Sequence, residues 1–66
     1  MKYEYYKLRG VIYRVPANWY FTHLGHFRAC EYLDGQWKRS ACTIIDIMEI
    51  KAAKLLSNEN AFLELV

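Results

Sequence analysis

Gly10 and Gly35 each interrupt a short run of β-branched, aromatic and charged residues, and this constrains the fold more than any other feature. In "YEYYKLRGVIYRV" the dipeptide Arg9-Gly10 lies between two strand-like runs, and glycine adopts the positive φ that a tight hairpin turn requires. In "EYLDGQWKRS" the dipeptide is Asp34-Gly35, one of the strongest two-residue turn signals. Two hairpins of this size use up about half of a 66-residue chain. They therefore set the architecture to which everything else must attach.

Each turn implies a register. With Arg9 and Gly10 as the loop, Leu8 faces Val11, Tyr6 faces Tyr13 and Glu4 faces Val15 on one mostly apolar face. The other face then carries Tyr3, Tyr5, Lys7, Ile12 and Arg14, with Tyr5 across from Arg14 at cation–π range. One apolar and one mixed face is the pattern of an antiparallel sheet open to water on one side. Pro16 ends the strand because it cannot donate to a ladder. With Asp34 and Gly35 as the second loop, Tyr32 pairs with Trp37, Glu31 with Lys38 and Cys30 with Arg39. Each cross-strand pair contributes about 0.2–1 kcal/mol. Tyr32 and Trp37 are read as facing the core.

Between the hairpins, the alternation in "ANWYFTHLG" (17–25) favours an extended segment that enters a third strand through a bulge at Gly25. The competing reading is a helical stripe of Tyr20, Leu24 and Phe27. Beyond Thr43 the period changes. Ile44, Ile45, Met48, Ala52 and Leu55 recur at helical spacing, which predicts a helix somewhere within 44–57. Ser57, Asn58 and Asn60 break it, and "AFLELV" forms either a short helical turn or a strand. The expected fold is an α+β domain of about four antiparallel strands in two hairpins, with a C-terminal helix packed on one face. Residues 1–66 make a single domain.

Composition limits what such a domain can do. The chain is 55% apolar and 17% aromatic, too rich for disorder and suited to a small core built from a few large rings. The same aromatic surplus suits a chain that hides surface in an oligomer, so a homodimer is expected. The net charge of +2 does not by itself imply nucleic acid. It is unevenly spread: residues 1–42 carry seven Lys/Arg against three Asp/Glu, whereas residues 43–66 carry two against four. There is no apolar run after Lys2 of the kind a signal peptide has, and no run long enough to cross a membrane. Two cysteines are too few for a secreted disulfide scaffold, and a reduced cytoplasmic setting is expected.

His23, His26, Cys30 and Cys42 are the residues from which a metal site would be built. Structural zinc sites show short paired spacings, which Cys30 and Cys42 lack, and in the register above these thiols fall on opposite faces. No metal, cofactor or disulfide is expected. No glycine-rich phosphate loop is present, and a thiol on a hairpin of a chain this small has little room for a water-excluding cleft. The protein is expected not to be an enzyme. The surface residues that carry the functional expectation are Tyr3, Tyr5, Arg14 and Trp19. Tyr, Arg and Trp are enriched at protein interfaces, and a partner protein is expected to engage them. The alternative is single-stranded nucleic acid stacking on the same aromatic and basic face.

With these residues in view, the sequence resembles a type of small protein of unknown function encoded by tailed phages, particularly phages of cyanobacteria. "YYKLRGVIYRV" is similar to their tyrosine-rich opening hairpin, "LDGQWKRS" to their turn followed by Trp and a polar strand, and "MEIKAAKLL" to their closing helix. "ANWYFTHLGHF" is a longer and more aromatic connection than that pattern contains. The resemblance implies a phage accessory protein acting in the cytoplasm of an infected host. It brings no catalytic or binding residues with it.

Overall fold

Both turns form as the sequence requires. In the computed structural model, which describes residues 2–49 and 54–65, Arg9 and Gly10 have φ of 53° and 79°. Asp34 and Gly35 have φ of 52° and 78°. Positive φ at both loop positions is the type I′ turn, whose twist matches that of the flanking strands. The first turn joins β1 (Tyr3–Leu8) to β2 (Val11–Pro16), and the second joins β3 (Arg28–Leu33) to β4 (Gln36–Thr43). The registers are those expected: Leu8 faces Val11, Tyr5 faces Arg14, Tyr32 faces Trp37 and Glu31 faces Lys38.

The hairpins meet through a short ladder in which Tyr13 faces Glu31 and Arg14 faces Cys30. A fifth strand, β5 (Lys54–Leu56), lies antiparallel to β1 on its outer edge, giving the order β4-β3-β2-β1-β5. The fold is thus α+β, with one more strand than expected. The expected helix within 44–57 forms only in part. It occupies α1 (Ile44–Glu49), Ala52 lies outside the described residues, and Leu55 is in β5. The helix-forming character of "KLL" yields to the open edge of β1, whose unpaired amides the short strand satisfies.

The β4-to-α1 boundary has a clear chemical cause. The Asp46 N–H donates to Thr43 Oγ1 at 3.1 Å, and the Thr43 N–H donates to Asp46 Oδ2 at 3.0 Å. This reciprocal capping box satisfies donors that a helix start leaves open. The bond from the Thr43 N–H and, after it, the Thr43 side chain hold the Asp46 carboxyl below its ordinary pKa. Two further N–H groups of α1 are taken by the connecting loop: Ile44 donates to the Phe27 carbonyl at 2.9 Å, and Ile45 to the Gly25 carbonyl at 3.0 Å.

That loop is not the extended segment expected over 17–25. Residues 18–24 make one tight turn that closes as a Schellman motif. Leu24 N–H donates to the Trp19 carbonyl at 2.9 Å, His23 N–H reaches the Tyr20 carbonyl at 3.4 Å, and His23 is left-handed at φ 56°. Gly25 makes no bulge either. It is buried, and a Cβ there would stand 2.7 Å from the Ile45 side chain, so its role is close approach of the loop to α1. Trp19 of this segment packs against the core while Tyr20 and Phe21 are both exposed, so its apparent alternation marks no ladder.

The core lies on the apolar face of the first hairpin. Leu8, Tyr13 and Val15 pack with Ala29, Ile44 and Ile47, and Trp19, Leu24 and Met48 close over them. Burial raises the Tyr13 phenol above its ordinary pKa, and the neighbouring Cys42 and Glu31 add to this while Arg9 opposes it. Of "AFLELV", Val66 lies outside the described residues, and Ala61 to Leu65 belong to the second helix, α2 (Asn58–Leu65). Ser57 starts it, accepting the Asn60 N–H at 3.1 Å, so this residue divides β5 from α2 and caps the latter. Lys7 bonds Glu64 at 3.0 Å, and Tyr5 shares a shallow depression with Ala61, Phe62 and Leu65. α2 therefore lies over the β1 side of the face opposite the core.

Candidate functional site

Strand pairing decides what shares that opposite face. Side chains of directly paired residues point the same way, and alternate residues of one strand share a face. From the observed register the face carries Tyr3, Tyr5 and Lys7 of β1, and Ile12 and Arg14 of β2. It also carries Cys30 and Tyr32 of β3, with Trp37 and Arg39 of β4. No strand contributes a carboxylate to it: Glu4 pairs with Val15 and Glu31 with Tyr13, on the core side. Near β5 the face is covered by α2, and Lys7 is neutralised by Glu64. That exposed pair contributes little, about 0–1 kcal/mol. Ile12 of β2 is buried on this face, and from Arg14 across to β4 no described element lies over it.

Arg14 is the centre of the open part. Its Cζ lies 4.4 Å from the Tyr3 ring centroid and 4.6 Å from that of Trp37, so the guanidinium contacts two rings. Trp37 in turn packs against Tyr32 at 5.1 Å and 60°, and against Tyr5 at 6.0 Å and 45°. Sequence pairing places Tyr5 opposite Arg14, and this holds, but the cation rests on Tyr3 and Trp37 instead. Arg14 Nε is buried and has no hydrogen-bond partner among the described residues. Among the described residues the ion pair formed is Lys7–Glu64, so Arg14 holds its charge against aromatic rings with no carboxylate beside it. Such an ordered, weakly hydrated guanidinium suits bidentate contact with an anion.

The expected residues are thus divided. Tyr3, Tyr5 and Arg14 come together, and Trp19 does not join them. Trp19 packs on the core beside Gly25 and Ile45 and stacks edge-on with Tyr20 at 5.8 Å. Tyr20 and His23 join it in a shallow cleft of about 290 Å³, together with His26 and Ile45. Trp37 and Tyr32 are not core residues. They are half-buried on the face away from α1, because the Arg14–Cys30 pair turns Ala29, and not Tyr32, towards the core. Trp37 is therefore the residue of this candidate site that sequence reasoning misplaced. The available signal was the run Cys30-x-Tyr32 opposite Trp37-x-Arg39, whose alternate positions carry aromatic and cationic groups and whose intervening position holds Glu31.

Cys30 and Cys42 are both free thiols, the first on the open face and the second packed against the core. No group of three His, Cys, Asp or Glu side chains among the described residues is close enough to hold a metal ion. No helix among them is long and apolar enough to cross a membrane. Compared with known proteins, the chain matches no family model, no curated protein and no solved structure.

Proposed function

We infer that this is a non-enzymatic interaction protein of the phage accessory type, acting in the host cytoplasm, that grips a partner protein through the open aromatic and arginine face. The observation that carries this reading is Arg14, stacked on Tyr3 and Trp37 without a carboxylate of its own. Tyr, Trp and Arg in one half-buried cluster are the residue types that dominate interface energetics. Tyr5 and Tyr32 flank the cluster. A homodimer is part of the proposal, since Leu55, Phe62 and Leu63 leave apolar surface exposed at the α2 side and can be covered by a second copy.

Capture of partners from a host lysate by tagged protein tests the assignment. Trp37→Ala is expected to lower retention of a specific partner by about tenfold or more, the loss typical of an interface anchor. Wild-type retention by a folded Trp37→Ala protein overturns it. One observation favours a second reading, single-stranded nucleic acid: the strands put aromatic rings and arginines on this face and no acid. That reading requires anisotropy of a labelled oligonucleotide to rise at low salt and to fall steeply as salt is added.

A further inference from the structure

Where β2 and β3 part, the open face acquires a cleft. Their ladder ends after Arg14–Cys30, and Pro16, which has no N–H, cannot extend it. The gap is about 210 Å³ and is lined by Tyr3, Arg14, Pro16, Phe27, Arg28 and Cys30, among others. Two features of it stand together. Arg14 and Arg28 both line this one small space, and neither is in an ion pair among the described residues. The rest of the wall is apolar, and Phe27 is 63% exposed beside it.

We propose that this cleft binds a carboxylate carried next to a bulky apolar side chain, on an extended segment of the partner protein. The inference rests on the protein-binding reading above and adds the chemistry of what is bound. Two arginines line this cleft and no acidic residue does, so an anion is the complementary occupant. Guanidinium is weakly hydrated, so drying it against Phe27 and Pro16 costs less than drying an ammonium. Size selects the occupant further. The cleft is smaller than the roughly 300–1,000 Å³ that encloses a whole small-molecule ligand. Its volume matches one side chain with one anionic group better than a whole nucleotide with base, sugar and phosphate. A phosphodiester alone would leave the apolar wall uncovered.

Cys30 supplies a reporter in the wall, and Cys42, packed against the core, supplies a control in the same molecule. The probe is N-acetylphenylalanine, which joins a carboxylate to an aromatic side chain. Expected are saturable shifts of the Arg14, Arg28 and Cys30 amide resonances and slower iodoacetamide alkylation of Cys30, with Cys42 unchanged. N-acetylphenylalaninamide, which lacks the charge, and inorganic phosphate, which lacks the ring, are each expected to bind at least about tenfold more weakly. Arg28→Gln, at an exposed position, is expected to weaken the acid by about tenfold and leave the amide unaffected. Equal binding of acid and amide, or no effect at Cys30, overturns the proposal. Protection of Cys30 by an oligothymidylate but not by the acid also overturns it and makes nucleic acid the occupant. If Trp37→Ala abolishes partner capture while the acid fails to protect Cys30, the cleft inference alone falls. If the acid binds but capture ignores Trp37→Ala, the reading of the whole face falls.

Discussion

Single residues decide how the loop and the first helix meet. Gly25 is held against Ile45 and close to Trp19, so any side chain there must push atoms aside. Gly25→Ala is expected to destabilise the protein by about 1–3 kcal/mol, the usual range for overpacking, measured by urea denaturation. In the double variant with Ile45→Ala the loss is expected to be smaller than the sum of the two single losses, because the second change removes the obstructing group. Asp46 gives a prediction of a different kind. Its carboxylate accepts the Thr43 N–H, which lowers its folded pKa, so the ionised form is favoured by folding. That contribution is fully present above the ordinary carboxylate pKa of about 4 and is lost as pH falls through the lower folded value. Thermal melts between neutral pH and about pH 2 are expected to show this acid-side loss, and Asp46→Asn is expected to flatten it. Tyr13 works in the opposite direction at the alkaline end. Its raised pKa means that stability is lost as pH rises above about 10.

At the scale of elements, the two hairpins were legible from their turn residues and alternation, down to the residue pairs. Their loops are not equally good. Asp34-Gly35 is a favoured type I′ pair, whereas Arg9 occupies a left-handed position (φ 53°) that Asn or Asp tolerates better. Arg9→Asn is expected to raise stability by about 0.5–1 kcal/mol, read as a higher denaturation midpoint at unchanged slope. What local pattern could not give was contact between elements. The face of the second hairpin depends on the pairing of β2 with β3, and that pairing crosses a connection whose Schellman closure uses His23, a residue that does not announce the motif. For the same reason Trp37 was read as core and Trp19 as surface. β5 was hidden because residues with helical propensity serve an edge. β4 is irregular too: it advances from Arg39 to Thr43 while β3 advances from Cys30 to Arg28. Buried Ser40 repairs this bulge, donating to the Cys42 carbonyl at 3.0 Å and accepting its N–H at 3.2 Å.

The whole molecule covers its sheet unevenly. α1 and the loop complete the core side, while α2 covers only the β1 and β5 end of the other side. A domain this short buries only about 60% of the surface its unfolded chain exposes. With Phe62 and Leu63 more than 60% exposed, self-association is the expected outlet. Light scattering after size exclusion at micromolar concentration is expected to give twice the monomer mass, and Phe62→Glu is expected to return it to one. A monomeric wild-type protein rules out the dimer and leaves the partner-binding face untouched.

The brevity of the ladder between β2 and β3 has a kinetic meaning. Each hairpin closes over two residues and can form early and independently, because short closures cost little chain entropy. Only their meeting waits on the wrapped segment from Pro16 to Phe27. The joining of the two hairpins is therefore expected to be the late step in assembling this protein, with the crevice at their junction completed along with it.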